Sequence, residues 1–199
     1  MSEPGVTLDA PPDSTGRGRR RIAPFIVLAV TVVLVGLFWV LASSDSSKPD
    51  TAESFLLGRP APRVVTTTLD GTPFDLSRRK GSWVVLNFFN STCVPCKAEH
   101  PELVAFVDQQ ASLGLDGAEF YTVVNDDSDG AVRTWFDDNG GGWPILRDDD
   151  GTIAIGFGVA QVPETWIIDP DGIVQARYAG VTTAESLGTV LQRLRQARG

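Results

Sequence analysis

Cysteine and histidine are almost absent from this chain of 199 residues: there are two cysteines, Cys93 and Cys96, and one histidine, His100. A structural zinc site needs about four Cys or His ligands, so these residues leave it short. Attachment of a c-type haem needs a histidine directly after the second cysteine, and that position is Lys97. No cysteine lies near the N-terminal apolar run to take a lipid. Positive charge is also scarce beyond residue 43, where 13 basic side chains face 22 acidic ones, a net of −9. Such a surface suits nucleic acid poorly, and that partner class is set aside; the acidic excess serves to keep the domain soluble. Internal repeats and low-complexity tracts are missing too, and the length suits one hydrophobic core of ordinary size.

Charge disappears altogether from IAPFIVLAVTVVLVGLFWVLA, the 21 residues 22–42. As a helix this run is roughly 31 Å long, close to the thickness of a bilayer's hydrocarbon core. Arg17, Arg19, Arg20 and Arg21 stand before it, and the small polar stretch SSDSSKPD follows. The positive-inside rule then places the tail, residues 1–21, in the cytoplasm and everything after about residue 43 outside the cell membrane. A cleaved signal peptide is the competing reading, with Val40-Leu41-Ala42 as its small-residue site. The run exceeds the roughly 7 to 15 residues of a signal core, which favours a single uncleaved anchor over 22–42. Residues 43–54, rich in Ser, Asp and Thr, read as a flexible linker, and one domain occupies 55–199.

Within that domain, RVVTTTL (63–69) and a short extended piece at 74–76 flank Asp70-Gly71-Thr72-Pro73, a hairpin signal. SWVVLNFF (82–89) is nearly continuous apolar, as a strand buried on both faces is. Residues 94–113 carry Leu103, Val104, Phe106, Val107 and Ala111 at helical spacing. EFYTVVN (119–125) reads as a second buried strand, and 129–138 as a helix stopped by Asn139-Gly140-Gly141-Gly142. Further strands are expected at 144–147, 165–169 and 173–178, the last two joined by Pro170-Asp171-Gly172. Leu187, Val190, Leu191 and Leu194 mark a terminal amphipathic helix over 184–195. Strands and helices alternate and a hairpin and helix close the chain, so the fold class is α/β, three layers around a mixed sheet.

Both cysteines sit in NSTCVPCKAEHP, residues 90–101, between a buried strand and a helix. At a helix N-terminus the unpaired N–H groups and the helix dipole stabilise a thiolate, which is the nucleophilic form. Pro95 is compatible with the first helical turn, and one turn brings the two sulfurs together with the second more buried. A purely structural bridge is the serious alternative outside the cytoplasm. A bridge across so short a loop gains little chain entropy, however, so reactivity explains the position better.

VVLNFFNSTCVPCKAEHPEL (84–103) resembles the active-site segment of thioredoxin-fold proteins, in particular the membrane-anchored, extracytoplasmic TlpA/ResA/CcmG (DsbE) group of thiol-disulfide oxidoreductases. GVAQVPETWIIDPDGIV (158–174) resembles that group's later signature, and its Val-Pro-Glu-Thr wording is most similar to the CcmG branch. The resemblance implies a thioredoxin-like fold with an N-terminal β-hairpin and an inserted helix and strand, here 129–147. It implies Cys93 as the attacking cysteine, Cys96 as the resolving one, and Pro163 as a cis-proline facing them, with Val162 offering backbone hydrogen bonds to an extended substrate. Pro101 matches a proline that kinks the active-site helix, and Asn87 falls where classical thioredoxins carry a buried acid. Glu99 matches a glutamate that assists proton movement; three residues from Cys96 it shares that face of the helix, and an ordinary helix-surface acid is the equal alternative. Glu164 matches an acidic position beside the cis-proline, and a strand-edge carboxylate is the simpler reading. His100 reads as a solvated helix residue, Trp83 and Trp166 as core, and Trp143 either borders the site or packs the insert. Thr92 departs from the tryptophan common before the first cysteine, which bears on partner choice.

The function expected is thiol-disulfide exchange outside the cytoplasm, in the reducing direction, on a protein client. The resemblance implies apocytochrome c as client during cytochrome c maturation, and a membrane thiol donor of DsbD/CcdA type; it implies no metal or organic cofactor. Two other readings stay open: an oxidase or isomerase of exported proteins, and a non-catalytic module that binds a client. A peroxidase fits less well, because the positions where peroxiredoxins carry Pro and Thr before their cysteine are Leu86 and Asn90.

Overall fold

The computed structural model describes residues 23–42, 52–124 and 126–198. They fall into two compact units, 1–46 and 47–199. In the first, helix α1 spans Ala23–Ala42, and its described side chains are exposed all round. Among the described residues no helix is long and apolar enough to cross a membrane. The expected tail, residues 1–21, and most of the expected linker, 43–51, lie outside the described residues.

The second unit begins with a hairpin, β1 (Val65–Thr67) and β2 (Pro73–Asp75), antiparallel with Thr66 opposite Phe74. Its turn holds Gly71 at φ 87°, a region open to glycine, and the Thr72 N–H donates to both Asp70 Oδ1 and Thr68 Oγ1. Then come β3 (Val84–Phe89), α2 (Val94–Ser112), β4 (Glu119–Val124), α3 (Asp129–Asn139), β5 (Ile145–Arg147), α4 (Thr152–Phe157), β6 (Glu164–Ile168), β7 (Val174–Ala179) and α5 (Ala184–Arg198). The five-stranded sheet runs β5-β4-β3-β6-β7. β3 pairs parallel with β4 and antiparallel with β6, so the sheet is mixed, as the alternation of elements predicts.

All six residues of β3 are buried. Side chains alternate across a strand: Val85 and Phe89 join Leu103, Phe106, Ile167 and Leu187 on one face, and Val84, Leu86 and Phe88 join Val123, Leu146, Phe157 and Trp166 on the other. Trp83 and Trp166 are core residues, as expected. Trp143 packs the insert: it is buried, and its Nε1 donates to Thr122 Oγ1 at 2.8 Å.

Helix α4 has no counterpart in the sequence reading. Six residues are too few to show a helical period; what starts the helix is the buried Asp148 carboxylate, which accepts hydrogen bonds from the Ile153 and Ala154 N–H groups, each at 2.8 Å. Such an anion at the first turn offsets the orphan donors there.

Gly117, just before β4, marks a close approach of two backbones, since a Cβ there would stand 2.2 Å from the Gln110 carbonyl oxygen near the end of α2. Overpacking of this kind typically costs about 1–3 kcal/mol. Gly117→Ala is therefore expected to lower the urea midpoint at unchanged slope; an unshifted midpoint contradicts that packing.

Candidate functional site

Cys93 is the N-cap of α2, with extended backbone, and its Sγ accepts the Cys96 N–H at 3.1 Å. Pro95 lies in the first turn, where a missing N–H removes no helical bond. The loop leading to Cys93 is tied at several points. Asn90 Oδ1 accepts from the Thr92 N–H and hydroxyl at 2.8 and 2.6 Å. Asn90 Nδ2 donates to the Asp126 carbonyl at 2.9 Å, and the Ser91 N–H donates to the Asp127 carboxylate at 2.5 Å. Cys93 and Cys96 form a disulfide. Cys93 is half-buried beside exposed Thr92 and Val94, while Cys96 is buried beneath.

The peptide between Val162 and Pro163 is cis, as expected, and Cys93 Sγ lies 3.6 Å from the Val162 carbonyl oxygen. The Pro163 carbonyl accepts the Gly180 N–H at 2.9 Å, which fixes the turn from behind. The Val162 carbonyl thus lies beside the half-buried Cys93 sulfur, where an extended peptide can pair.

Behind Cys96 a small hydrogen-bonded polar cluster is buried in the apolar core. Glu99 is 1 % exposed and therefore no helix-surface acid. Its Oε1 accepts from Asn87 Nδ2 at 2.8 Å and its Oε2 from the Thr182 N–H at 2.9 Å. Asn87 Nδ2 also donates to Thr165 Oγ1 at 3.0 Å. Burial disfavours the carboxylate and outweighs both hydrogen bonds, so the Glu99 pKa is pushed up to about 7.

His100, expected in solvent, is buried instead. Its Nε2–H donates to the Gly140 carbonyl at 2.9 Å, and the rings of Phe136, Trp143 and Trp135 surround it at 5.3, 5.5 and 5.8 Å. The reason is tertiary: this side of α2 is covered by α3 and the loop after it. Glu164 is also no edge carboxylate. It is buried, and both oxygens are taken by Arg177, whose Nε and Nη2 donate at 2.9 and 2.7 Å. That bond to Glu164 raises the Arg177 pKa above its ordinary value.

The structure thus gathers Cys93, Cys96, Glu99, Val162 and Pro163 at one end of β3 and β6, with Glu164 turned away from the disulfide onto β7. Sequence reasoning missed Thr165, Thr182, Asp127 and Arg177. Only Arg177 carries a readable signal: once 165–169 and 173–178 are taken as a hairpin, residues near its open ends come opposite one another across the strands.

The chain matches the AhpC/TSA family over residues 57–177. It is 34 % identical to the thiol:disulfide interchange protein DsbE homolog of Paracoccus denitrificans over 171 residues, covering 83 % of this chain and 89 % of that one. It is 30 % identical to the thiol-disulfide oxidoreductase ResA of Bacillus thuringiensis over 142 residues, covering 71 % and 80 %. The fold is that of a DsbF homologue from Corynebacterium diphtheriae, with TM-score 0.63 at 23 % identity over 75 % of this chain and 96 % of that one.

A carboxyl whose folded pKa of about 7 exceeds the ordinary 4.5 keeps its proton in the native state where the unfolded chain has lost it. Native protein then binds more protons, so stability falls as pH rises from about 4.5 to 7 and levels off above. In urea titrations of the oxidised protein, Glu99→Gln is expected to flatten this fall, which is worth a few kcal/mol at most. Parallel pH profiles for the two proteins would contradict a titrating Glu99.

Proposed function

The chain belongs to the AhpC/TSA family and to its DsbE/ResA group of thiol-disulfide oxidoreductases, and from that premise we propose that it is a membrane-anchored, extracytoplasmic reductant of disulfides in exported proteins. The observation that carries this reading is the half-buried Cys93 sulfur beside the Val162 carbonyl, with Cys96 and Glu99 buried behind it.

In the reaction, the Cys93 thiolate attacks one sulfur of a client disulfide. That S–S bond breaks, the leaving sulfur takes a proton, and Cys93 is joined to the client while Val162 pairs with its backbone. Cys96, deprotonated with Glu99 as acceptor, then attacks Cys93 Sγ and expels the second client thiol. Two electrons pass to the client, and the disulfide between Cys93 and Cys96 is the oxidised product. A thiol donor in the membrane, of DsbD/CcdA type, must reduce it again. The relatives are named for disulfide interchange, which supports a disulfide-containing protein client, and the client proposed is apocytochrome c.

The anchor is supported by the uncharged run at 22–42, by helix α1 within it, and by the arginines that precede it. A peroxidase gains nothing from the site: Leu86 is buried in the core, and Asn90 holds the loop before Cys93.

Trapping in the native host tests the assignment. Cys96→Ser is expected to hold its client as a mixed disulfide with Cys93, stable until dithiothreitol is added, and Cys93→Ser is expected to hold none. Recovery of many unrelated secreted proteins and no apocytochrome would count against the dedicated role. Release of the chain from membranes by alkaline carbonate would remove the anchor.

A further inference from the structure

The cis peptide between Val162 and Pro163 leads straight into β6, whose first residue is Glu164. That residue is buried, and one side chain of β7, Arg177, holds both of its oxygens, at 2.9 and 2.7 Å. The two are not directly opposite. Glu164 pairs with Ala179 and Trp166 with Arg177, so the contact runs diagonally along one face of the sheet. Arg177 is itself fixed from three further sides. Its Nη1 donates to the Glu53 carbonyl at 3.2 Å, its own carbonyl accepts the Ala52 N–H at 2.7 Å, and its guanidinium carbon lies 5.4 Å from the centre of the Trp166 ring. The same end of β7 reaches the turn a second time, where the Gly180 N–H donates to the Pro163 carbonyl at 2.9 Å.

A buried ion pair stabilises a fold little better than an apolar pair of similar volume, so stability alone is a weak reason for this one. A guanidinium fork on a carboxylate does what an apolar contact does not: it fixes direction as well as distance. What it fixes here is the start of β6, two residues after the Val162 carbonyl that stands 3.6 Å from Cys93 Sγ. An extended client must meet that carbonyl with its backbone and Cys93 with its disulfide at the same time, and small errors of placement in such an arrangement are costly. We propose that Arg177 is a positioning residue for client binding: by clamping Glu164 against β7, it holds the Val162 carbonyl in register with the Cys93 sulfur. Neither Arg177 nor Glu164 touches the client in this role. The proposal rests on the exchange reaction above and adds a residue to it.

Two disulfides of different build test this. The pre-reduced full-length chain is mixed with excess of a short peptide closed by a disulfide between its two cysteines, and separately with dithiodipyridine, a small disulfide that has no backbone to pair. Removing Arg177 alone strands a buried carboxylate and endangers the fold, so the pair is replaced together, Glu164→Gln with Arg177→Met. In that protein the peptide concentration at half-maximal rate is expected to rise roughly three- to tenfold, the worth of one backbone hydrogen bond. The rate with dithiodipyridine is expected to stay within about twofold. Arg177→Lys keeps the charge but loses the two-pronged contact, and is expected to shift the peptide value in the same direction by less. Unchanged peptide values in both variants overturn the proposal. Equal losses toward peptide and dithiodipyridine also overturn it, because they mark a disturbed Cys93 and not a displaced carbonyl. If the unaltered reduced chain converts dithiodipyridine but not the peptide, the reductant reading fails, and the proposal with it.

Discussion

β3 is buried on both faces along its whole length, and the rest of the domain follows from that constraint. Two layers must cover it: α2 and α5 on one side, the β1–β2 hairpin and α4 on the other. Its C-terminal end delivers Cys93 to the start of α2, where the helix terminus favours a thiolate. Because β6 runs antiparallel beside it, the beginning of β6 meets that same end. The switch from a parallel to an antiparallel neighbour at β3 is what brings the Val162 carbonyl, some 70 residues later, to 3.6 Å from the Cys93 sulfur.

The single polar residue of β3 shows how the same strand shapes the chemistry. Asn87 is fully buried and spends its amide on Glu99 and Thr165. Glu99 has only neutral partners, so burial wins and its pKa is pushed up to about 7. Glu164 lies on the neighbouring strand, equally hidden, but has a guanidinium across both oxygens. Removing one partner from such a pair typically costs about 3–5 kcal/mol, because a buried charge is left alone. Burial and neutral partners thus raise the pKa of one carboxyl, while a guanidinium holds the other.

Much of this was legible in the sequence, for identifiable reasons. The apolar run of β3, the Asp-Gly turn and the cysteine pair after a strand are local signals, and local physics makes them. The cis Val162–Pro163 peptide was readable only through resemblance to other proteins, since nothing within a few residues demands it. α4 escaped because its starting signal is a carboxylate on the preceding turn and its length is under two helical periods. His100 was misplaced because the face of α2 that carries it is covered by α3 and the following loop, a contact no periodicity reports. Arg177 joins three segments at once, residues 52–53, β6 and β7, and only the assembled sheet shows them together.

The central claim is that the disulfide between Cys93 and Cys96 is the spent form of a reductant. The most direct test is its reduction potential, obtained by equilibrating the purified full-length chain with dithiol buffers of defined ratio and counting free thiols. The account expects a value more negative than about −200 mV, on the side of thioredoxin at about −270 mV; a value near the about −120 mV of DsbA would mean that electrons flow from the client to this protein, and would contradict it.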